Sequence, residues 1–197
     1  MSPDRTSMRD SATIFDQAIA SHLGVIQTLQ ILSPVLEKIG ATMSGAIRDG
    51  KKILWCGNGG SAADSQHLAA ELVGRFLKER RGLPSIALTT NTSVLTAIGN
   101  DYGYDVVFRR QVEALCVPGD VVVGISTSGN SKNVLLALQA ARAIGAHTVA
   151  FTGKNGGSMA EIASLALQIP STETPRVQEA HILCGHMLCD YIEQSLD

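Results

Sequence analysis

The sequence predicts an α/β domain in which a parallel sheet of five short strands lies between helices. Five short apolar runs alternate with segments of helical spacing along the chain. Strands that are joined through helices run parallel and are buried on both faces, because the crossover helices cover the sheet. The length of 197 residues, 45% of them hydrophobic, is enough for one domain with its own core.

The first predicted element is a pair of helices at about residues 10–48. Apolar residues from Ile14 to Met43 recur every three to five positions, which is the spacing of a helix with one apolar face. Pro34 predicts a break between the two helices. Only 17% of the chain is charged, against an average of about 25%. Because scarce charge indicates scarce solvent-facing surface, we expect these helices to pack against another subunit.

The strands follow in order after this helical pair. The first is predicted at residues 53–57, and the loop GNGGS then leads into a helix whose start, Ser61 to Asp64, resembles a capping box. Four further strands are predicted at residues 85–89, 120–126, 147–153 and 165–170. The chain ends in a helix from about Pro175 to Ser195, with the proline at a favourable first-turn position.

Composition argues against nucleic-acid-binding, membrane and disulfide-rich proteins. The chain has 16 basic and 18 acidic residues, so no basic excess is available to neutralise a phosphate backbone. The polar N-terminus lacks the apolar region of a signal peptide, and no uncharged apolar run reaches about 18 residues. The four cysteines fit neither a disulfide framework nor a zinc site of cysteine pairs. We therefore expect a cytoplasmic protein with reduced cysteines and without nucleic-acid or membrane partners.

Two loops that follow predicted strands are suited to phosphate. In a parallel sheet, ligands bind beyond the carboxyl ends of the strands. The loops Gly57–Ser61 and Ser126–Ser131 lie there, and each combines glycines with the start of a helix, whose free N–H groups attract anions. Each could be an ordinary turn with a helix cap, but the second has four hydroxyls within six residues, more than capping requires. A similar loop, Gly153–Ser158, is interpreted as structural.

The two loops favour a small phosphorylated ligand. Neither contains the GxGxxG pattern of dinucleotide sites or the lysine of a nucleoside triphosphate loop.

Two helices carry residues that suit a metal or proton transfer. His67 and Glu71 lie four residues apart, on one face of a helix whose apolar neighbours predict burial. They could be a surface ion pair, a site for a zinc-like metal, or an acid–base pair. Gln178, His181 and His186 lie on the last helix, where capping and packing are the simpler explanation.

Helix geometry limits how the last helix could share a metal. Gln178 and His186 are about 12 Å apart along its axis. One metal could contact both only if their side chains lean together or belong to different subunits.

Four segments together resemble the sugar isomerase (SIS) domain family: CGNGGSAADSQHLAAELVGRF, AIGNDYGYD, GISTSGNS and RVQEAHILCGHMLCDYIEQSL. Within that family the chain is most similar to phosphoheptose isomerases, and the resemblance covers essentially all of residues 1–197 as a single domain. It implies a flavodoxin-like five-stranded parallel sheet with an N-terminal helical extension. It also implies a homotetramer with active sites at the subunit interfaces. The implied reaction interconverts D-sedoheptulose 7-phosphate and D-glycero-D-manno-heptose 7-phosphate, in the synthesis of bacterial heptose precursors for lipopolysaccharide core or capsule.

The resemblance also implies roles for individual residues. One zinc ion per subunit would be bound by His67, Glu71, Gln178 and His186, and Glu71 and His186 would be the catalytic acid–base pair. Substrate contacts are implied for a larger set: Asn58, Gly59, Gly60, Ser61, Glu71, Asn100, Asp101, Ser126, Thr127, Ser128, Ser131 and Gln178. Some family members carry an acidic residue where this chain has Pro175, so a sugar contact by that carboxylate is not expected here.

Two other functions are compatible with the same fold. Some relatives in the superfamily are binding proteins that assist replication initiation, and they tend to lack the residues that correspond to Glu71 and His186. Other SIS domains act on amino-sugar phosphates, often together with further domains. Because this chain has both Glu71 and His186 and is short, the sequence favours the heptose phosphate isomerase.

Overall fold

The computed structural model describes residues 11–196, with side chains from Thr13 onward. The first ten residues, which include the polar N-terminus used in the prediction against a signal peptide, and Asp197 lie outside the described residues. The eight α-helices of the described chain are α1 (Ser11–Ile26), α2 (Ser33–Arg48), α3 (Gly60–Val73), α4 (Thr92–Tyr102), α5 (Val107–Leu115), α6 (Lys132–Ile144), α7 (Gly157–Ile162) and α8 (Thr174–Ser195). The five strands are β1 (Ile53–Gly57), β2 (Ser85–Ala87), β3 (Val121–Ser126), β4 (His147–Thr152) and β5 (Leu165–Gln168).

The sheet confirms the predicted fold class. Its strands lie in the order β2-β1-β3-β4-β5 and all pair in parallel. This is the doubly wound order of flavodoxin-like proteins. The order reverses direction between β1 and β3, so the loops that follow these two strands flank the crevice where such folds bind ligands.

The core lies on both faces of the sheet because successive strand residues point to opposite sides. Ile53 and Trp55 belong to one fully buried cluster, which includes residues of α2, α3 and α8. Leu54 and Cys56 belong to a second cluster, which includes residues of α5 and α6. All four cysteines are buried and free, as predicted.

The structure differs from the sequence prediction in several local features. It contains α4 and α5, which the sequence analysis does not predict. The capping box expected at Ser61 and Asp64 is absent, because α3 begins at Gly60 and Gly59 precedes it without a side-chain cap. The predicted break between the two N-terminal helices is present: a short 3₁₀ helix at Leu29–Leu32 separates them, and Pro34 lies in the first turn of α2.

The N-terminal helices leave a large apolar surface uncovered. Ile14, Phe15, Ile19 and Leu23 of α1 are each at least half exposed. Within the described residues, the helical stretch Thr13–Arg48 is apolar and long enough to cross a membrane by length and composition, with a mean hydropathy of 1.4 in its most apolar window.

Polar contacts nevertheless fix α1 to the domain. His22 Nδ1 lies 2.7 Å from Glu179 Oε2 of α8, and Ser21 Oγ donates to Glu173 Oε2 at 3.2 Å. The first helix is therefore bound to the domain along the start of α8.

Candidate functional site

The two predicted phosphate loops lie side by side at the carboxyl ends of β1 and β3. Asn58 of the first loop and Asn133, at the start of α6, exchange two amide hydrogen bonds of 2.9 and 2.8 Å. This reciprocal pair joins the loops and orients the Asn58 side chain. Asn133 is missing from the sequence-based site, although its position two residues after Ser131 could have indicated it.

The second loop forms a cluster of hydroxyl groups. Ser126 Oγ lies 2.9 Å from Ser131 Oγ and 3.3 Å from Ser128 Oγ. Ser128 is exposed and Ser131 is half-buried, so their hydroxyls are accessible where the first turn of α6 begins. Ser128 Oγ also accepts a hydrogen bond from the Asn130 main-chain N–H at 3.2 Å. The contacts between the hydroxyls can be exchanged for the oxygens of an anion.

The loop Gly153–Ser158 donates hydrogen bonds to the loop that carries the hydroxyl cluster, which agrees with its interpretation as structural. Gly153 N–H donates to Thr127 O at 3.0 Å, and Ser158 N–H donates to Asn130 Oδ1 at 3.0 Å. An open cavity of about 300 Å³ lies between the two loops and includes Ser128 and Lys154 in its wall. A larger cavity of about 370 Å³ lies between α5 and α6, where no predicted site residue lines it.

Helices α3 and α8 pack side by side and bring His67, Glu71 and His186 together. They approach closely at Gly185, where a Cβ would lie 2.5 Å from Leu68. His67 Nε2 is 2.9 Å from His186 Nε2 and 3.1 Å from Glu71 Oε1. The side chain of His67 is 50% exposed and that of Glu71 is 25% exposed, so this face of α3 is more open than the sequence predicts.

This triad has the donor set of a divalent metal site. One nitrogen from each histidine and one oxygen from Glu71 lie within 4.8 Å of one another. Imidazole nitrogens and a carboxylate oxygen are typical ligands of zinc, and catalytic zinc sites commonly have three protein ligands and an open position. The residues present therefore fit such an ion. A cation bound between the two imidazole nitrogens would also interact favourably with both of their lone pairs.

The remaining predicted contacts lie in two places. A Cβ on Gly60 would lie 2.5 Å from Gln178 Nε2, so this amide lies against the first loop, two helical turns before His186. Asn100 and Asp101 lie exposed at the end of α4, where Asn100 Nδ2 donates to Asp101 Oδ1 at 2.8 Å. Within one chain, Gln178 therefore lies apart from the triad of His67, Glu71 and His186.

Two residues near the triad were not predicted from the sequence as part of the site. The Phe76 ring stacks on the His186 ring, with centroids 5.3 Å apart and planes inclined by 26°. Asp64 lies three residues before His67 on α3, and its Oδ2 is buried without a hydrogen-bond partner in the described chain. Burial raises the pKa of Asp64 to about 6, and the charge of nearby His67 opposes that shift. The sequence pattern suggested only a helix cap for Asp64.

The other histidine of the last helix, His181, is a core residue. It is fully buried, and its Nε2 lies 3.1 Å from Thr152 O. Burial lowers the pKa of His181 to about 4, so it stays neutral near pH 7. Packing, the simpler explanation given for this position from sequence, agrees with the burial of His181, although its Nδ1 has no hydrogen-bond partner within the described residues.

Comparisons with known proteins agree with the fold. Residues 16–153 match the SIS domain family. The phosphoheptose isomerase of Aquifex aeolicus is 57% identical over 166 residues, which cover 84% of this chain and 87% of that protein. The solved phosphoheptose isomerase of Neisseria gonorrhoeae superposes with a TM-score of 0.89 at 44% identity, covering 94% of this chain and 100% of that one. That of Francisella tularensis superposes with a TM-score of 0.90 at 35% identity, covering 94% and 99%.

Proposed function

The chain belongs to the phosphoheptose isomerases of the SIS-domain family, and on that premise we propose how its residues carry out the isomerisation. The enzyme interconverts the ketose sedoheptulose 7-phosphate and the corresponding aldose, D-glycero-D-manno-heptose 7-phosphate. The observation that carries the residue assignment is the convergence of His67, Glu71 and His186 beside two phosphate-suited loops. Neither a binding protein for replication initiation nor an isomerase of another sugar phosphate is favoured.

The reaction needs one group that removes a proton and another that supplies one. A proton leaves C1 of the ketose, a proton is delivered to C2, and the hydroxyl proton moves from O1 to O2. We assign the transfers at carbon to Glu71 and those at oxygen to His186, because a carboxylate and an imidazole can both exchange protons near neutral pH. The partial exposure of Glu71 leaves room for the sugar carbons beside it.

Zinc is the metal that we propose for the triad. His67, Glu71 and His186 would hold it. The family resemblance also implies Gln178 as a fourth ligand, and because Gln178 of the same chain lies against the first loop, two helical turns from His186, this ligand would come from another subunit. When bound, the ion would polarise the sugar carbonyl. Glu71 and His186 would then combine metal binding with proton transfer.

Protein purified without a metal-affinity tag should contain about one zinc per chain. Its donor atoms are already gathered within 4.8 Å, so little folding free energy is needed to form the site. Elemental analysis after extensive dialysis measures this. Less than about a tenth of an equivalent per chain would contradict a tight zinc site.

The hydroxyl loop is the proposed phosphate site. Ser128→Ala or Ser131→Ala should raise KM for the heptulose phosphate more than it lowers kcat, because the phosphate is bound equally in the ground and transition states. Steady-state kinetics on both variants checks this. Ser164→Ala is the matched control, since this serine lies at the amino end of β5, away from the carboxyl ends of the strands, and bonds to Thr148. Absence of competitive inhibition by inorganic phosphate would contradict the assignment.

We propose that the exposed apolar face of α1 packs against other copies of the chain in a cytoplasmic homotetramer. The contacts of His22 and Ser21 with α8 support this over insertion into a membrane, because they bind the helix to the domain. Asn100 and Asp101 are exposed at the end of α4, where a neighbouring subunit could use them. Active sites completed at subunit interfaces would explain why, among the described residues, the two side chains hydrogen-bond only to each other.

One assay tests the substrate assignment directly. Purified protein is incubated with sedoheptulose 7-phosphate and, in parallel, with glucosamine 6-phosphate, and products are followed by NMR. Conversion of the heptulose alone supports the proposal. Faster conversion of the amino sugar would assign the chain to another branch of the family, and binding without conversion of either would favour a binding protein.

A further inference from the structure

A buried carboxylate organises the segment that follows α3. Glu193 of α8 is 2% exposed and accepts hydrogen bonds of 2.8 Å from the main-chain N–H groups of Phe76, Leu77 and Lys78. Three successive N–H groups on one carboxylate fix the path of this segment. Burial alone would raise the pKa of Glu193, but these hydrogen bonds and the charge of Arg80 outweigh burial and lower it. The carboxylate therefore stays charged at neutral pH.

Arg80 links the same segment to Glu193 and to the end of α3. Its Nη2 lies 2.8 Å from Glu193 Oε1 and donates to Glu71 O at 2.9 Å. Its Nη1 donates to Leu72 O at 2.9 Å and to Gly74 O at 3.1 Å. The guanidinium thus satisfies carbonyls at the end of α3, including that of the proposed catalytic glutamate.

The same segment contacts the other proposed catalytic residue. The Phe76 ring stacks on His186, while the main-chain N–H of Phe76 is held by Glu193 Oε1. Glu193 follows His186 by two turns of α8, so one helix carries both the imidazole and the anchor of the ring that packs on it. The flat ring restricts rotation of the imidazole, and His67 contacts it on another side, at 5.1 Å between centroids.

We propose that Glu193 and Arg80 are positioning residues of the isomerase site, which hold the Phe76 ring against His186 and so fix the orientation of this imidazole. The inference rests on the proposed role of His186. A misplaced catalytic group can cost up to about a hundredfold in rate, even when the change lies away from the reacting atoms. The pair therefore acts through Phe76 and does not touch the substrate.

Four variants test this: Phe76→Leu, Phe76→Tyr, Glu193→Gln and the double variant Phe76→Leu/Glu193→Gln. We expect Phe76→Leu and Glu193→Gln each to lower kcat by about tenfold with little change in KM, because the phosphate loops are untouched. Phe76→Tyr keeps the flat ring and should retain turnover near that of the wild type. The double variant should be no slower than the slower single variant, because both changes remove the same support.

A second readout is independent of turnover. The His186 ring protons feel the ring current of Phe76, so their NMR resonances should shift in Phe76→Leu and stay in place in Phe76→Tyr. Glu193→Gln should reproduce the shift of Phe76→Leu. A wild-type protein without isomerase activity would refute the proposed function, yet these resonances would still decide whether Glu193 positions the ring.

The control is another buried carboxylate that pairs with a basic side chain and accepts hydrogen bonds from main-chain N–H groups. Asp120 is fully buried, accepts hydrogen bonds from Lys52 N–H and Val117 N–H, and pairs with Lys52 Nζ at 2.6 Å. Asp120→Asn should lower the unfolding temperature without moving the His186 resonances or kcat.

Two results would overturn the proposal. Additive losses of kcat in the double variant would show that Glu193 acts independently of Phe76. Unmoved His186 resonances in Glu193→Gln would show that Glu193 does not hold the Phe76 ring against the imidazole. If Glu193→Gln fails to fold, Arg80→Lys replaces it in the cycle, with the same expected and contradicting outcomes.

Discussion

Glu71→Gln and His186→Asn should each lower kcat by roughly 10²–10⁴-fold. Glu71→Gln keeps the shape of the side chain, His186→Asn keeps a polar group in place of the ring, and both remove the capacity to exchange a proton. Substrate should still bind, because the hydroxyl cluster at Ser126–Ser131 and the Asn58–Asn133 pair are unchanged. The two effects should not add, since loss of either residue already disables the proton transfer. Steady-state kinetics, with substrate Kd from calorimetry, measures both points.

Loss of metal is the competing explanation for these variants, since both residues belong to the proposed zinc site. Zinc content is therefore measured on the same preparations, with oligomeric state checked by size-exclusion chromatography. His67→Asn is the matched variant, because it removes a proposed ligand without removing a member of the acid–base pair. Activity that tracks zinc content and returns with added zinc in all three would make Glu71 and His186 ligands only.

Gly129→Ala should have the second largest effect. Gly129 has φ of +69°, and a Cβ there would lie 1.9 Å from the carbonyl oxygen of Gly156. The blocking atoms are backbone, so the loop must move. Left-handed strain of about 1–2 kcal/mol and overpacking of about 1–3 kcal/mol together predict a loss of about 2–5 kcal/mol in the free energy of unfolding. Chemical denaturation measures this, and KM should rise because the hydroxyl cluster shifts.

Gly50→Ala separates the two causes. Gly50 has φ of +71°, but a Cβ there would have no neighbour within 4 Å. This variant should therefore show only the cost of the left-handed backbone, about 1–2 kcal/mol. Equal losses of stability in the two variants would show that the contact of the added Cβ at position 129 with Gly156 does not contribute to the loss.

The strands and the glycine- and hydroxyl-rich loops that follow them could be predicted because local sequence determines them. Apolar runs such as 53–57 are buried on both faces of the sheet, and the glycine and hydroxyl composition of Ser126–Ser131 marks the turn into α6. The helices α4 and α5 were missed. No residue of α4 is buried, and a helix without a buried face has no strong apolar periodicity in its sequence.

Contacts between distant segments could not be predicted from spacing. His67 and His186 are 119 residues apart, and only the side-by-side packing of α3 and α8 brings their rings together. The same packing places Glu193 under Phe76, although nothing in the sequence near either residue indicates the other. Asp64 illustrates the reverse error, because a local capping pattern suggested a role that the helix start at Gly60 rules out.

We propose that Glu71 transfers a proton between the sugar and solvent in this aldose–ketose isomerase. Incubation of the enzyme, supplemented with zinc, with sedoheptulose 7-phosphate in D₂O tests this when the product is followed by NMR. We expect an aldose heptose 7-phosphate that carries solvent deuterium at C2, formed by the wild type and not by Glu71→Gln. A wild-type enzyme that leaves the ketose unchanged, or a Glu71→Gln variant that forms the deuterated aldose at the wild-type rate, would contradict it.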